Sequence, residues 1–84
     1  MIVKMYSIYD SKAEAYMQPF FAQSNGVAIR SFTNAANDKG SAIGQYPTDF
    51  TLFELGSFDD SNGDYVALTA PKPLGGAHEF VKGE

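Results

Sequence analysis

The 84-residue sequence predicts an α+β fold: a four-stranded antiparallel sheet of ββ-α-ββ order with one helix packed on a face. Three observations predict it. Asp49 to Leu68 reads as two apolar runs around an acidic turn. Val27 to Asn37 carries an apolar stripe at helical spacing, and Ile2 to Tyr9 alternates loosely with apolar groups on both sides.

The hairpin is the strongest of the three signals. Phe50, Leu52, Phe53, Leu55 and Phe58 precede Asp59-Asp60-Ser61-Asn62-Gly63-Asp64, and Tyr65, Val66 and Leu68 follow it. Asn-Gly supplies the positive-φ positions that a tight turn needs, and three aspartates hold that turn in solvent. The flanks are rich in residues that suit a pleated, half-buried surface. Strands are expected over 50–58 and 64–69.

The first strand is expected over 2–9, with both faces apolar as in an inner strand. After Asp10-Ser11-Lys12 two readings compete. Ser11 and Glu14 have capping-box spacing, which suits a short helix over 12–17. Pro19 bars a helix beyond Gln18, and Tyr16, Phe20 and Phe21 favour a strand over 14–23 with a bulge or edge position near the proline. The strand is the preferred reading. Asn25 is a good N-cap for the helix expected over 26–37, where Ile29, Phe32 and Ala36 form the stripe and Asn37 to Gly40 end it.

Gly40 to Thr48 reads as a loop. Residues 1–70 are expected to form the single domain, and 71–84 an extended Pro/Gly-containing tail, with Pro71 and Pro73 in polyproline-type extension and the last three residues frayed.

Composition limits the chemistry. There is no cysteine, which excludes disulfides and thiolate metal sites, and one histidine cannot form a histidine cluster. Ten acidic against six basic residues give a formal charge of −4, the wrong sign for affinity built mainly on phosphate neutralisation. No apolar run approaches the roughly 18 residues of a membrane span, and no leader pattern precedes the domain. The expected location is therefore cytoplasmic, without membrane contact.

No catalytic motif emerges, so a non-enzymatic protein without cofactor is expected. His78 stands beside Glu79 in a glycine-flanked segment with no nucleophile to serve. The aspartates of the turn miss EF-hand spacing, which would require an oxygen ligand where Phe58 stands, and Gly75-Gly76 lacks the rest of a phosphate loop.

Aromatic content is more informative. Five tyrosines and seven phenylalanines are more rings than a one-helix domain buries easily, so some are expected on an open sheet face or in a subunit interface. Exposed rings with nearby cations are the usual platform for single-stranded nucleic acid. Lys4, Tyr6, Tyr9, Lys12 and Tyr16 of the first two strands, with Arg30 of the helix, are the candidate binding residues. The alternative is that the same rings fill the core and the interface of a homodimer, which would also enlarge the buried area of so small a domain.

Several segments carry a family resemblance: Tyr6 to Tyr16 (YSIYDSKAEAY), Pro19 to Ala22 (PFFA), Ala28 to Phe32 (AIRSF), Asp49 to Asp60 (DFTLFELGSFDD) and Pro71 to Gly75 (PKPLG). In this order they resemble the small nonstructural protein of gokushoviruses, single-stranded DNA phages of the microvirus family. The resemblance implies a phage protein of the host cytoplasm that binds single-stranded DNA, or acts in synthesis and packaging of the genome. It brings no catalytic residues. The other function it leaves open is an accessory that docks on replication, host or capsid proteins without touching DNA.

Overall fold

The computed structural model describes residues 1–82. Its elements, in chain order, are β1 (Ile2–Asp10), β2 (Ala15–Tyr16), β3 (Phe20–Ala22), α1 (Asn25–Ala36), α2 (Ala42–Gln45), β4 (Phe50–Asp59) and β5 (Tyr65–Gly76), with single 3₁₀ turns over Pro47–Asp49 and Ala77–Glu79. The fold is α+β with a five-stranded, all-antiparallel sheet in the order β2-β1-β4-β5, and β3 pairs with the same edge of β1 as β2. The four-strand expectation is thus corrected to five.

The extra strand comes from the segment expected over 14–23. Tyr9 faces Tyr16 and Asp10 faces Ala15 in one short ladder, and Lys4 to Tyr6 face Ala22 to Phe20 in another. Between them Pro19 has no N–H to donate, so the ladder breaks there. Two bonds keep the break close to β1: the Met17 N–H donates to the Ile8 carbonyl at 2.8 Å, and the Ser7 hydroxyl donates to the Met17 carbonyl at 2.6 Å. The short-helix alternative does not form. Residues 11–14 are a turn, closed by Glu14 N–H donating to the Asp10 carbonyl, with Glu14 at a φ of 57°.

Helix α1 begins at the expected cap, Asn25, one residue earlier than expected. Ser24, extended at φ −153°, is the N-cap, and its Oγ accepts from the Val27 N–H at 3.3 Å. Asn25 is released from capping and turns to the sheet, where its Oδ1 accepts from the Tyr6 hydroxyl at 2.6 Å. The buried stripe is Ala28, Phe32 and Ala36, with Ile29 half-buried beside it. Small residues at 28 and 36 let the helix approach the sheet, and Phe32 fills the space between.

The stretch read as a loop folds further than expected. Ser41 caps α2 through its Oγ, which accepts from the Gly44 N–H at 3.0 Å, and Ile43 is buried in the core. Pro47 then starts the 3₁₀ turn into β4, a position where its missing donor costs nothing.

The expected 71–84 tail is corrected as well. Lys72, Pro73, Gly75 and Gly76 pair with Glu54, Phe53, Leu52 and Thr51, so the segment is the second half of β5. Edge placement explains how a strand accommodates two prolines. Beyond it, Phe80 packs edge-on to Phe32 at 6.0 Å, and Asn37 fixes this end by donating to the Phe80 carbonyl at 3.0 Å and accepting from the Lys82 N–H at 2.8 Å. Of the three residues expected to fray, Lys82 is held by that bond; 83 and 84 lie outside the described residues.

Tyr6, Phe32, Leu52 and Phe50 with Ala28, Ala36, Ile43 and Ala77 make the core between α1 and one sheet face. Full burial of such an aromatic or leucine side chain contributes about 1.5–3 kcal/mol each. Because strand side chains alternate, Ser7, Tyr9, Thr51 and Phe53 point to the other face, which no helix covers. Among the described residues no helix is long and apolar enough to cross a membrane.

Candidate nucleic-acid interface

The uncovered face is built by all five strands, with Tyr65 of β5 opposite Phe58. In register, Ser7 faces Phe53 and Tyr9 faces Thr51 across β1 and β4, while Tyr9 faces Tyr16 across β1 and β2. The result is a cluster of three rings in edge-to-face contact. Tyr9 and Tyr16 lie 4.9 Å apart, Tyr16 and Phe53 5.5 Å, and Tyr9 and Phe53 6.4 Å, with interplanar angles of 62°, 73° and 84°. Such pairs contribute about 0.5–1.5 kcal/mol beyond simple burial, so the rings hold each other in place. Tyr9 and Phe53 are half-buried, and Tyr16 stands 45 % exposed on top of them.

A second aromatic pair continues the face toward the other end of β1. Met5 faces Phe21 and Val3 faces Phe58, and the Phe21 and Phe58 rings meet at 5.5 Å with Phe21 half exposed. A register shift on β4 keeps this continuous. Tyr6 faces Glu54 and Met5 faces Gly56, so Leu55 is the extra residue of a bulge that returns Phe58 to the open face. Along β1 and β4 the positions of this face are Val3, Met5, Ser7, Tyr9, Thr51, Phe53, Gly56 and Phe58, all uncharged.

The structure distributes the six residues singled out from the sequence. Tyr9 and Tyr16 come together on the open face. Tyr6 does not: expected to be exposed, it is fully buried on the helix side, stacked on Phe20 at 5.7 Å. Burial, with a smaller contribution from the nearby Glu54 carboxylate, raises its hydroxyl above the ordinary tyrosine value. Lys4 shares the parity of Tyr6, and its Nζ lies 3.8 Å from Glu54 Oε2. Arg30 is exposed on α1, across the sheet from the rings. Lys12 sits in the β1–β2 turn, next to the strands that carry Tyr9 and Tyr16, and forms no ion pair among the described residues.

Phe21, Phe53 and Phe58 were not among the candidates. Alternation offered a signal for Phe53, since it falls out of phase with Phe50 and Leu52 in an otherwise apolar strand. Phe58 carried no such signal, because the bulge at Leu55 reverses its parity. No group of three or more potential metal ligands comes together among the described residues.

No curated protein and no solved structure matches the chain. The family model described as Phage ORF5 protein matches residues 3–80, which takes in all of the strands and both helices but for Ile2, the first residue of β1. With that coverage, the chain belongs to the Phage ORF5 protein family, a family of bacteriophage proteins.

Proposed function

We propose that this protein is a non-enzymatic binder of single-stranded DNA, serving replication or packaging of a phage genome in the host cytoplasm. The observation that carries the reading is the helix-free face on which Tyr9, Tyr16 and Phe53 form a preassembled aromatic platform, with Tyr16 outermost. Bases stack on such rings with about 1–3 kcal/mol per contact and little regard for sequence. Membership of a phage family supports the reading, and the resemblance of segments such as Asp49 to Asp60 to gokushovirus proteins would add a genome of single-stranded DNA.

The face itself is uncharged, so the phosphate contribution is small and Lys12 is the nearest candidate cation in sequence. One phosphate contact gives a salt slope of about −0.7. Useful affinity requires avidity, which a homodimer or a row of copies along the strand supplies. Fluorescence anisotropy of a labelled oligothymidine at low and moderate salt tests this. Saturable binding weakened by Tyr16→Ala supports it; absence of binding at low salt and high protein concentration overturns it.

The uncharged character of the face also favours a second reading, in which the rings dock on a replication, host or capsid protein. Pull-down from infected cells after nuclease treatment separates the two. A partner retained without DNA supports the second reading, and loss of every partner with the nucleic acid counts against it.

A further inference from the structure

Beside the Lys12 end of the platform a cleft of about 450 Å³ opens between the end of β1, the turn after it, α2 and the 3₁₀ turn that leads into β4. Asp10, Lys12, Ala42, Tyr46, Asp49 and Phe50 line it. The volume lies in the range of small-ligand sites. The walls are held mainly by backbone bonds. Ser11 N–H donates to the Asp49 carbonyl at 2.9 Å, Asp49 N–H to the Tyr46 carbonyl at 3.0 Å, and Tyr46 N–H to the Ala42 carbonyl at 2.9 Å.

The lining side chains differ in how far the fold already uses them. Asp10 Oδ1 accepts from the Lys12 and Ala13 N–H groups at 2.9 and 3.3 Å, so this carboxylate shapes the turn. Among the described residues, no hydrogen bond engages the Asp49 carboxylate, the Tyr46 hydroxyl or the Lys12 ammonium. Tyr46 is 59 % exposed and has no aromatic partner among the described residues, so its ring is open to a ligand in the cleft.

We infer that this cleft is a base pocket that selects guanine, with the ring stacked on Tyr46, its Watson–Crick edge on the Asp49 carboxylate and its phosphate on Lys12. An ionised carboxylate only accepts hydrogen bonds, so it matches an edge that presents adjacent donors. Guanine offers N1–H beside the N2 amino group, two parallel donors for two oxygens. Adenine and cytosine place a ring acceptor beside their amino group, and thymine flanks its single N–H with two carbonyls; each sets an oxygen or nitrogen lone pair against the carboxylate. Single-stranded nucleic acid leaves this edge unpaired and free to be read. The inference deepens the reading of the protein as a nucleic-acid binder and rests on it for the source of the base, a strand rather than a free nucleotide.

The test uses the full chain and two probes. In the first, dGMP and dTMP are titrated to millimolar concentration while amide resonances are followed. Saturable shifts at Ala42, Tyr46 and Phe50 with dGMP and not dTMP, lost in Asp49→Ala and Tyr46→Ala, are the expected result. Both substitutions remove side chains that make no hydrogen bond among the described residues, so the fold should be retained, which an unchanged amide spectrum away from the cleft checks. No shifts, or equal shifts with both nucleotides, overturn the pocket. In the second, oligothymidines carrying one central dG or one central inosine, which lacks the N2 amino group, are compared by anisotropy. The dG strand should bind roughly tenfold tighter. An oligothymidine that is bound equally well with dG or inosine, alongside silent dGMP titrations, refutes the pocket and leaves the aromatic platform standing. Specific dGMP shifts without oligothymidine binding refute the platform and leave the pocket.

Discussion

The Tyr6 hydroxyl donates to Asn25 Oδ1 at 2.6 Å, joining the centre of β1 to the first residue of α1. Tyr6 is fully buried, and this bond is what makes burial of its polar end tolerable. It ties the helix to the sheet face on which Leu52 and Phe50 are also buried, which leaves the rings of the other face open.

Tyr6→Phe should cost about 1 kcal/mol, lowering the thermal midpoint by about 4–8 °C, and Tyr6→Ala about 3–5 kcal/mol. A pH effect accompanies this. Burial raises the Tyr6 pKa above 10.0 in the folded state. Its contribution is therefore complete below pH 10 and is lost as pH rises from there through the folded pKa, because the unfolded chain ionises first. Urea midpoints taken between pH 9 and 11 should fall less steeply in Tyr6→Phe than in the wild type.

The opposite end of β1 carries a charge clamp. The Met1 ammonium lies 2.8 Å from Asp60 Oδ1 and 3.5 Å from Asp59 Oδ1, and the Asp60 N–H donates to the Met1 carbonyl at 3.1 Å. The hydrogen bond to Asp60 raises the ammonium above 8.0, and bonds from the Ser61 hydroxyl and N–H hold Asp59 below 3.8. The clamp should be intact between these limits. It is lost as pH rises above 8 through the ammonium's folded value, and the longer contact to Asp59 is lost as pH falls below 3.8 through the folded value of that carboxylate. Protection of the Asp60 amide from exchange reads this directly, and N-terminal acetylation should abolish the alkaline step.

Gly56→Ala should be among the most damaging small substitutions. A Cβ there would meet the Val66 carbonyl oxygen at 2.1 Å, a backbone atom that cannot swing aside. A loss of about 3 kcal/mol is expected, with repacking of the β4–β5 pairing around Ala67. A thermal midpoint within 2 °C of the wild type, a shift small beside the roughly 4–8 °C expected per kcal/mol, would refute this.

For DNA binding, Tyr9→Ala, Tyr16→Ala and Phe53→Ala should each weaken oligothymidine affinity about 5- to 150-fold. Lys4→Met and Arg30→Ala should change it less than about twofold, because Lys4 is paired with Glu54 and Arg30 stands across the sheet from the rings. A large loss in Arg30→Ala would move the binding surface to the helix side.

By itself the sequence determined the α+β class, the hairpin around Asn62-Gly63 and the helix that ends near Asn37. Each follows from local periodicity and turn chemistry, which neighbours in the chain dictate. It also determined that rings outnumber what one helix covers. Tertiary structure decided the rest. Tyr6, Tyr9 and Tyr16 look alike in a list of strand tyrosines, yet Asn25 draws the first under the helix while β2 pairing gathers the others with Phe53. Parity along β4 changes at Leu55, and no local property of that leucine marks it as a bulge; the change comes from fitting β4 to β1 and β5 at once. The cleft at Tyr46 and Asp49 joins residues more than 30 positions from Asp10 and Lys12, and only folding brings them to one wall.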